Sequence, residues 1–376
     1  MKKLLYIIPT EFFDNSDGVT KKAKQQLRAF EKNGYKVYVA SYDGNKIVYC
    51  VYENGKFKVL YSKQCCIYLR RGELFRVVKK HIAKECFDVS YIRYPYSSFK
   101  FIEMIKGLKK YNTKVLIEVP TYPIPRDLPR KLRYIPHRMV FIGEKLTVGK
   151  MKYYVDEIYS MGEPVESIFG IKNTNIPNGI EVASFLPRIV NDNKNELHIL
   201  YCGSLFSYQG VDRIINGIAN YYGDASPKNI DVYLEVVGDG PCLSELKQLV
   251  IEKKLLDRIN FYGFKSGDDL NKIVDKCNLA CSLLASHRSK LITNTSPLKT
   301  KEYMARGIPF VYAYNDSSMP ENLNFALKIV SSEEPIDIYQ LIEFYKTYVD
   351  NQGKIIEEMR SYAIENFAWE KILENV

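Results

Sequence analysis

One segment in the second half of the chain has the residue types of a phosphate site. In NTSPLKTKEYMARGIPFVY, Ser296 is a favourable N-cap residue and Pro297 suits the first helical position. A helix that starts there begins with free backbone N–H groups and the positive end of its dipole, which together bind phosphate. Glu302 follows about one and a half turns later, where its carboxylate could accept hydrogen bonds from a ribose diol.

Three further loops carry glycines that let the backbone approach a ligand closely. They are GSLFSYQGVD from Gly203, Gly238-Asp239-Gly240-Pro241, and Gly263-Phe264. Each of them alone has an ordinary structural interpretation, since glycine turns occur in every domain of this kind. The four loops together, in this order, indicate a binding site.

The loops follow short apolar runs that alternate with helical patterns. We predict strands at Leu4–Ile8, Val37–Ser41, Val89–Tyr91, Val115–Val119, Glu157–Tyr159, His198–Cys202, Val232–Val237, Ile259–Tyr262, Leu279–Leu283 and Phe310–Tyr314. Helical patterns lie between them, for example at Thr20–Asn33, Val211–Tyr222, Cys242–Lys253 and Pro297–Arg306. This alternation predicts an α/β fold class with parallel sheets covered on both faces. Such sheets bind ligands at the carboxyl ends of their strands, where the four loops lie.

The chain length predicts two domains, because 376 residues exceed the roughly 150 of an ordinary domain. The polar stretch Arg188–Glu196 is the predicted linker. Residues 1–180 carry 33 Lys+Arg against 17 Asp+Glu, whereas residues 181–376 carry 21 against 27. This asymmetry predicts an anionic partner for the first half, such as membrane lipid, a phosphorylated substrate or nucleic acid. Nucleic acid is disfavoured because no recognised motif accompanies the charge.

Several other classes of protein are disfavoured by composition. Among eight cysteines only Cys65 and Cys66 are close, no Cys-x-x-Cys occurs, and the four histidines are scattered, so we expect neither a disulfide framework nor a metal site. The N-terminal apolar run ends at Pro9, short of the roughly 7–15 residues of a secretory signal. No apolar run approaches the roughly 18 residues of a membrane helix. We therefore expect a cytoplasmic protein.

Taken together, these segments resemble the retaining glycosyltransferases of the glycogen-synthase-like superfamily (glycosyl transferases group 1, GT-B fold), of the bacterial surface-polysaccharide type. The resemblance covers nearly all of the second half and is looser in the first. It rests on PNGIE at Pro177–Glu181, YCGSLFSYQGVDRII, VVGDGP, FYGF, the SPLKTKEYMARGIPFV block and the terminal ENFAWEKI with Trp369. In the first half, the Asp17-Gly18 loop and EVPTYP at Glu118–Pro123 carry it.

The resemblance implies two Rossmann-like domains facing a central cleft. The first, 1–185, would bind the acceptor, with the C-terminal helix 356–376 packing back on it, and the second, 186–355, would bind the donor. Donor-binding residues would be Gly18, Gly203, Ser204, Gln209, Gly238, Phe264, Thr295, Ser296, Pro297, Leu298 and Glu302. Thr121 and Tyr122 would bind the acceptor, and the catalytic residues would be Glu118, Asn294 and Lys299. No cofactor is implied, since the nucleotide-sugar donor is a substrate.

Two departures from the family pattern bear on catalysis. Many members have Arg and Lys where this chain has Ser204 and Gln209, and the first of two glutamates eight positions apart is Asn294 here. Losing two cations that neutralise a leaving diphosphate slows catalysis unless others replace them. The replacement candidates are Arg288, Lys290 and Lys299, with an ordinary basic surface as the alternative.

The resemblance predicts a hexosyltransferase that uses a nucleotide-sugar donor and a glycan or lipid-linked acceptor in surface-polysaccharide or capsule assembly. A nucleotide-sugar 2-epimerase on the same fold is one alternative, which the shortage of histidines argues against. A catalytically silent partner subunit is another, favoured by Ser204, Gln209 and Asn294. The stretch Arg126–Lys152 holds eight Lys+Arg against two acidic residues, with apolar residues interleaved, and predicts contact with an anionic membrane surface or an ordinary core helix.

Overall fold

The computed structural model describes residues 1–13, 18–124, 135–190, 193–289 and 295–376, with the backbone alone for residues 135–139. The chain forms two units. The first comprises Met1–Pro177 together with Trp369–Val376, and the second comprises Asn178–Ala368.

The first unit contains a nine-stranded sheet whose central strands are parallel. Its strands are β1 (Lys2–Glu11), β2 (Tyr35–Asp43), β3 (Lys46–Glu53), β4 (Lys56–Gln64), β5 (Val89–Arg93), β6 (Lys114–Tyr122), β7 (Glu157–Gly162), β8 (Ser167–Ile168) and β9 (Ile171–Asn175). They lie in the order β4-β3-β2-β1-β5-β6-β7-β9-β8. Its described helices are α1 (Gly18–Lys32), α2 (Arg70–Ile82), α3 (Phe99–Lys110) and α4 (Ile135–Thr147).

The strands β3 and β4 form an antiparallel hairpin at one edge of this sheet, which the sequence analysis missed. The hairpin turns at Asn54-Gly55, where both residues have a positive φ, 51° and 76°. Asn-Gly between alternating apolar residues is a strong hairpin signal, because both residues tolerate the left-handed backbone that such a turn requires. The signal was therefore present in the sequence.

The second unit contains a six-stranded sheet in which every pairing is parallel. Its strands are β10 (Glu196–Cys202), β11 (Asp231–Val237), β12 (Ile259–Gly263), β13 (Leu279–Ser282), β14 (Phe310–Tyr312) and β15 (Ala326–Lys328), in the order β12-β11-β10-β13-β14-β15. Its described helices are α5 (Val211–Gly223), α6 (Leu243–Glu252), α7 (Gly267–Val274), α8 (Leu298–Arg306), α9 (Ile338–Lys346) and α10 (Gln352–Phe367). A short helix α11 (Trp369–Ile372) follows in the segment that belongs to the first unit.

Apolar residues of the strands form the cores of both units. In β10 the side chains of Leu197, Ile199, Leu200 and Tyr201 are all buried, as expected for a strand that helices cover on both faces. The predicted α/β class with two Rossmann-like domains is confirmed. All ten predicted strands and the four predicted helices overlap observed ones, because apolar periodicity is a local signal.

The division between the units differs from the predicted boundary. The predicted linker begins at Arg188, but this side chain is buried in the second unit, where its Nε donates to the carbonyl of Gly307 (3.0 Å) and Nη1 to Oε1 of Gln352 (3.0 Å). Helix α10 lies with the second unit and packs on α8, so only the residues from Trp369 onward join the first unit. The polar composition of the stretch predicted a linker, whereas the hydrogen bonds of Arg188 hold its first residue on the second unit.

Within the described residues, none of the helices combines the length and the apolar character that crossing a bilayer demands. Over the same residues, no group of three or more His, Cys, Asp or Glu side chains is arranged to hold a metal ion.

Candidate functional site

Three glycine loops meet at one edge of the sheet in the second unit. The N–H of Gly203 donates to the carbonyl of Val237 (2.9 Å), and the N–H of Gly238 donates to the carbonyl of Gly263 (2.8 Å). A β-carbon at Gly238, whose φ is +136°, would lie 1.9 Å from the carbonyl oxygen of Gly203. Only glycine allows this approach, so the loops after β10, β11 and β12 converge at the carboxyl ends of their strands.

Helix α8 begins beside these loops, but its cap differs from the prediction. The helix starts at Leu298, and among the described residues Pro297 occupies the N-cap position, where it makes no side-chain capping hydrogen bond. The predicted cap Ser296 is therefore wrong, because its hydroxyl lies 3.1 Å from that of Ser318 instead. A helix start whose N-cap residue makes no side-chain bond can bind an anion through its first-turn amides.

The segment before α8 is held by the loop that follows β14. The N–H of Thr295 donates to the carbonyl of Asn315 (2.9 Å). Asp316 accepts from the amide of Ser318 (3.0 Å) and pairs with Lys301, whose Nζ lies 2.5 Å from Oδ2 in a position with no solvent exposure. This buried pair joins α8 to the loop and so fixes the start of the helix.

Lys299, in the first turn of α8, points toward the glycine loops. Its Nζ donates to Oε1 of Gln209 (2.8 Å) and lies 3.5 Å from the hydroxyl of Tyr201, with the Tyr201 ring centre 4.5 Å away. A β-carbon at Gly203 would be only 3.1 Å from this ammonium. Burial lowers the pKa of Lys299 to about 8.

Gln209 is one of the two positions at which many members of the family that the sequence resembles carry a cation. The ammonium of Lys299 therefore lies next to Gln209, where this chain lacks the positive charge that those family members carry. Ser204, the other such position, is exposed, and its carbonyl accepts from the Tyr201 hydroxyl (2.6 Å). Tyr201 thus contacts both Lys299 and the Gly203 loop, a role that the sequence did not reveal because the residue lies inside a predicted core strand.

Arg288, another candidate for replacing the missing charge, is already engaged. Its guanidinium makes two hydrogen bonds to Asp212 (2.8 and 2.9 Å) and further bonds to Glu333. These carboxylates raise its pKa, and they neutralise its charge. Because both carboxylates already pair with Arg288, this geometry does not support the prediction that Arg288 neutralises a ligand. The two partners lie 76 and 45 residues away along the chain, so the local sequence could not reveal them. The remaining candidate Lys290 and the predicted catalytic Asn294 lie outside the described residues.

Three further predicted donor residues, Glu302, Phe264 and Leu298, lie on α8 or just after β12. Glu302 is partly buried on the second turn of α8, and after burial itself it is the main influence that raises the pKa of the Cys202 thiol to about 11. Phe264 follows β12 with 78% of its surface exposed, which leaves a ring face available for stacking. Leu298 packs partly against the core. The structure thus brings Gly203, Gln209, Gly238 and Lys299 together and places Phe264 after the adjacent strand β12.

Glu118, predicted to be catalytic, lies in the interior of the first unit. Its carboxylate has no solvent exposure and accepts from Gln26 (2.5 Å), Tyr91 (2.9 Å) and Arg93 (3.1 Å), with Lys22 at 3.2 Å. Burial alone would raise the pKa of Glu118, but Lys22 and Arg93 hold it below its usual value. The catalytic prediction is not supported by this geometry, because the carboxylate is enclosed and four side chains already contact it.

The other predicted residues of the first unit, Gly18, Thr121 and Tyr122, are exposed or partly exposed. Thr121 is exposed near the end of β6, and Tyr122 packs partly against the core. Gly18 is the first residue of α1, and a β-carbon there would have no neighbour within 4 Å. Their roles toward acceptor and donor stay predictions.

The architecture is similar to several solved structures. HepE from Anabaena, in complex with UDP, matches with a TM-score of 0.60 at 13% identity, over 99% of this chain and 97% of that one. The lipopolysaccharide outer core galactosyltransferase WaaB, in its apo form, matches with 0.59 at 14%, over 99% and 98%. The pneumococcal O-GlcNAc transferase GtfA, in complex with UDP and GlcNAc, matches with 0.55 at 11%, over 99% and 97%. The chain has the GT-B fold.

The sequence of the second unit also matches a known family. Residues 183–358 fit the family model described as glycosyl transferases group 1, a span that includes all four loops. No curated protein matches the sequence significantly. At identities of 11–14% the solved structures establish the fold, and the family match over the second unit supports glycosyl transfer as the general activity.

Proposed function

We propose that the protein transfers a hexosyl group from a nucleoside-diphosphate sugar to a glycan or lipid-linked acceptor, with retention of anomeric configuration. The second unit binds the donor, with the diphosphate at the start of α8, the ribose at Glu302 and the base near Phe264. The complexes of HepE with UDP and of GtfA with UDP and GlcNAc support this donor class.

The observation that carries the proposal is the position of Lys299. Its ammonium lies at the meeting point of the Gly203 loop, Gln209 and the first turn of α8, and its hydrogen bonds within the described residues go to neutral groups. A cation surrounded in this way gains most when an anion arrives, because burial already penalises its charge. A diphosphate at the start of α8 is such an anion.

The proposed step forms one bond and breaks another at the anomeric carbon. The acceptor hydroxyl oxygen attacks that carbon from the side of the leaving group while the bond to the diphosphate oxygen breaks. The hydroxyl proton passes to the departing oxygen, so the products are the glycoside and a nucleoside diphosphate. Lys299 and the α8 amides stabilise the charge on the leaving oxygen, which is greatest in the transition state.

The acceptor side belongs to the first unit in this proposal. Thr121 and Tyr122 contact the sugar or acceptor, and surface-polysaccharide assembly is the process we favour. WaaB, a lipopolysaccharide galactosyltransferase, shares the fold and supports that choice. The charge of the first half and the stretch 126–152 favour peripheral binding to the inner membrane face from the cytoplasm.

A thermal-shift screen with nucleoside diphosphates, followed by donor hydrolysis, tests the proposal. We expect one nucleoside diphosphate to raise the melting temperature and its sugar conjugate to be hydrolysed slowly. Conversion of the donor to its 2-epimer would instead identify an epimerase. Binding without either reaction would favour a catalytically silent partner subunit. The neutral residues Ser204 and Gln209 are the observation that favours this alternative.

A further inference from the structure

The first unit exposes a run of apolar residues immediately before α2. Ile67, Tyr68 and Leu69 are 50%, 85% and 60% exposed, and Phe99 at the start of α3 is 59% exposed. We call the three consecutive residues the apolar lip. Single exposed apolar residues are ordinary, but three in succession with an 85% exposed ring in the middle are not, and such surfaces mark interaction sites.

The chain on either side of the apolar lip is rich in basic residues. Residues 56–84 contain nine Lys+Arg and one acidic residue, Glu73. The side chain of Lys100 lies against Gly72, where a β-carbon would be 2.8 Å from its Nζ, and the ammonium of Lys150 lies 5.5 Å from the centre of the Phe99 ring. Glu73 pairs with Lys63 and Arg76, so it offsets only part of this charge.

The apolar lip lies at the carboxyl end of the parallel strands. The guanidinium of Arg70, the next residue, pairs with Glu11 at the end of β1 and lies 4.5 Å from the centre of the Tyr42 ring near the end of β2. Arg71 donates to the carbonyl of Pro95, just after β5 (3.0 Å). Ligands of a doubly wound domain bind at this edge, which in the proposed function is the acceptor side.

We infer that the apolar lip inserts into an anionic lipid bilayer while Lys100 and Lys150 contact its headgroups. Apolar side chains that project from a basic surface match the interface between charged headgroups and acyl chains. A second copy of the chain is a poorer partner, because the neighbouring edge strand β4 carries Lys56, Lys58 and Lys63 and a register shift, features that oppose strand pairing. Membrane contact here would bring a lipid-linked acceptor to the acceptor edge, and only this last consequence rests on the proposed function.

Tryptophan fluorescence can locate the contact, because the chain has a single tryptophan, Trp369, which is buried. In the Tyr68→Trp variant, vesicles of phosphatidylglycerol and phosphatidylcholine should shift the emission to the blue, and lipids brominated on their acyl chains should quench it. The matched control is Val330→Trp in the second unit, at a site that is 77% exposed and should respond to neither. An unquenched Tyr68→Trp signal on bound protein would overturn the inference.

Sedimentation with the same vesicles at about 0.15 M salt measures the two contributions separately. Ile67→Ser/Tyr68→Ser/Leu69→Ser should weaken binding at least a hundredfold, because burying each apolar side chain is worth tenfold or more. Lys100→Gln/Lys150→Gln should weaken it at least tenfold, at about fivefold per basic residue. The control variants Leu256→Ser/Val330→Ser and Lys247→Gln/Lys354→Gln change exposed residues of the second unit and should bind as wild type.

Several outcomes would contradict this assignment. Wild-type protein that stays in the supernatant, or a triple serine variant that sediments normally, would show that the apolar lip does not bind lipid. Loss of binding only on changing Arg130, Lys131, Arg133 and Arg138 would transfer the membrane role to residues 130–138. Loss of self-association in the triple variant, without loss of vesicle binding, would identify a second copy as the partner. Nucleoside diphosphate binding, measured on each variant without vesicles, reports failure of the proposed function separately.

Discussion

Two lysines, Lys22 buried in the first unit and Lys299 partly buried in the second, differ in how their charge is surrounded. Lys22 in the first unit and Lys299 in the second both have a pKa lowered to about 8, with burial as the largest cause. Lys22 lies 3.2 Å from the carboxylate of Glu118, whereas the hydrogen bonds of Lys299 go to Gln209 and to Tyr201. The first charge is paired with a carboxylate, whereas the described hydrogen-bond partners of the second are neutral; in our proposal the second serves an anionic ligand.

The comparison teaches that a perturbed pKa alone does not identify a catalytic group. Both lysines are perturbed to a similar extent, yet only Lys299 lies at the strand ends where glycine loops converge. The same reasoning reverses the prediction for Glu118, whose lowered pKa reflects its buried partners. The criterion that we use to distinguish the two sites is the partner of the lysine. Lys22 pairs with a carboxylate of the protein, whereas the described hydrogen-bond partners of Lys299 are neutral.

The largest expected effect is the loss of stability on breaking the neutralised site. Glu118→Gln leaves Lys22 and Arg93 buried without their carboxylate, which costs about 3–5 kcal/mol of unfolding free energy. Urea unfolding at pH 7 measures it. Glu103→Gln, which removes an exposed partner of Lys79, is the control and should change stability by less than about 1 kcal/mol. Folded Glu118→Gln protein with wild-type stability and no turnover would restore the catalytic role that we reject.

A smaller effect is expected at the donor ribose. Glu302→Ala should weaken nucleoside diphosphate binding by about 1.5–3 kcal/mol, because a diol loses a charged acceptor. Isothermal titration measures the change, and Glu245→Ala on the exposed side of α6 is the control. If Glu302→Ala binds the nucleotide as tightly as wild type, the ribose does not lie at this position.

The smallest expected effect is the dependence of kcat/KM and kcat on pH. Because the protonated form of Lys299 is the active one in this account and its pKa is about 8 without ligand, kcat/KM should fall as pH rises through about 8. Donor binding raises this pKa, so kcat itself should decline at higher pH. In Lys299→Arg the decline should disappear from both profiles up to pH 10, since arginine stays charged. An identical decline in wild type and Lys299→Arg would assign the titration to another group.

The fold was largely predictable, since strands such as His198–Cys202 are marked by apolar residues close in sequence. The cap of α8 was not predictable in the same way. Serine favours the N-cap position in general, but Ser296 contacts Ser318, which lies 22 residues later. The general preference of serine for the N-cap position is therefore overridden by a contact that forms only when the loop after β14 has folded.

The candidate site was predictable in position but not in its charges. Lys299 and Lys301 are two residues apart on α8, so their side chains point in different directions around the helix. One reaches Gln209, and the other pairs with Asp316. Likewise, nothing near Arg288 in the sequence shows that it forms salt bridges with Asp212 and Glu333. Which cation is available depends on partners that are distant along the chain.

The contact between Lys299 and Gln209 also changes what restoring the common family residues would do. With Lys299 in place, Gln209→Lys would place a second ammonium group beside the first, and like charges repel. We therefore expect Ser204→Arg/Gln209→Lys in the wild-type background to lose stability or activity. The exchange becomes informative only when Lys299 is removed.

The most direct test is therefore to exchange the two residues and measure turnover with a competent donor. Lys299→Gln should lower kcat about 100-fold or more with little change in donor affinity, because the lost charge acts mainly in the transition state. Lys299→Gln/Gln209→Lys returns one ammonium to the same place and should recover at least tenfold, while Lys247→Gln on α6 should match wild type. Full turnover in Lys299→Gln, or a lower kcat that Gln209→Lys does not raise, would contradict the assignment of Lys299 as the cation that stabilises the leaving diphosphate.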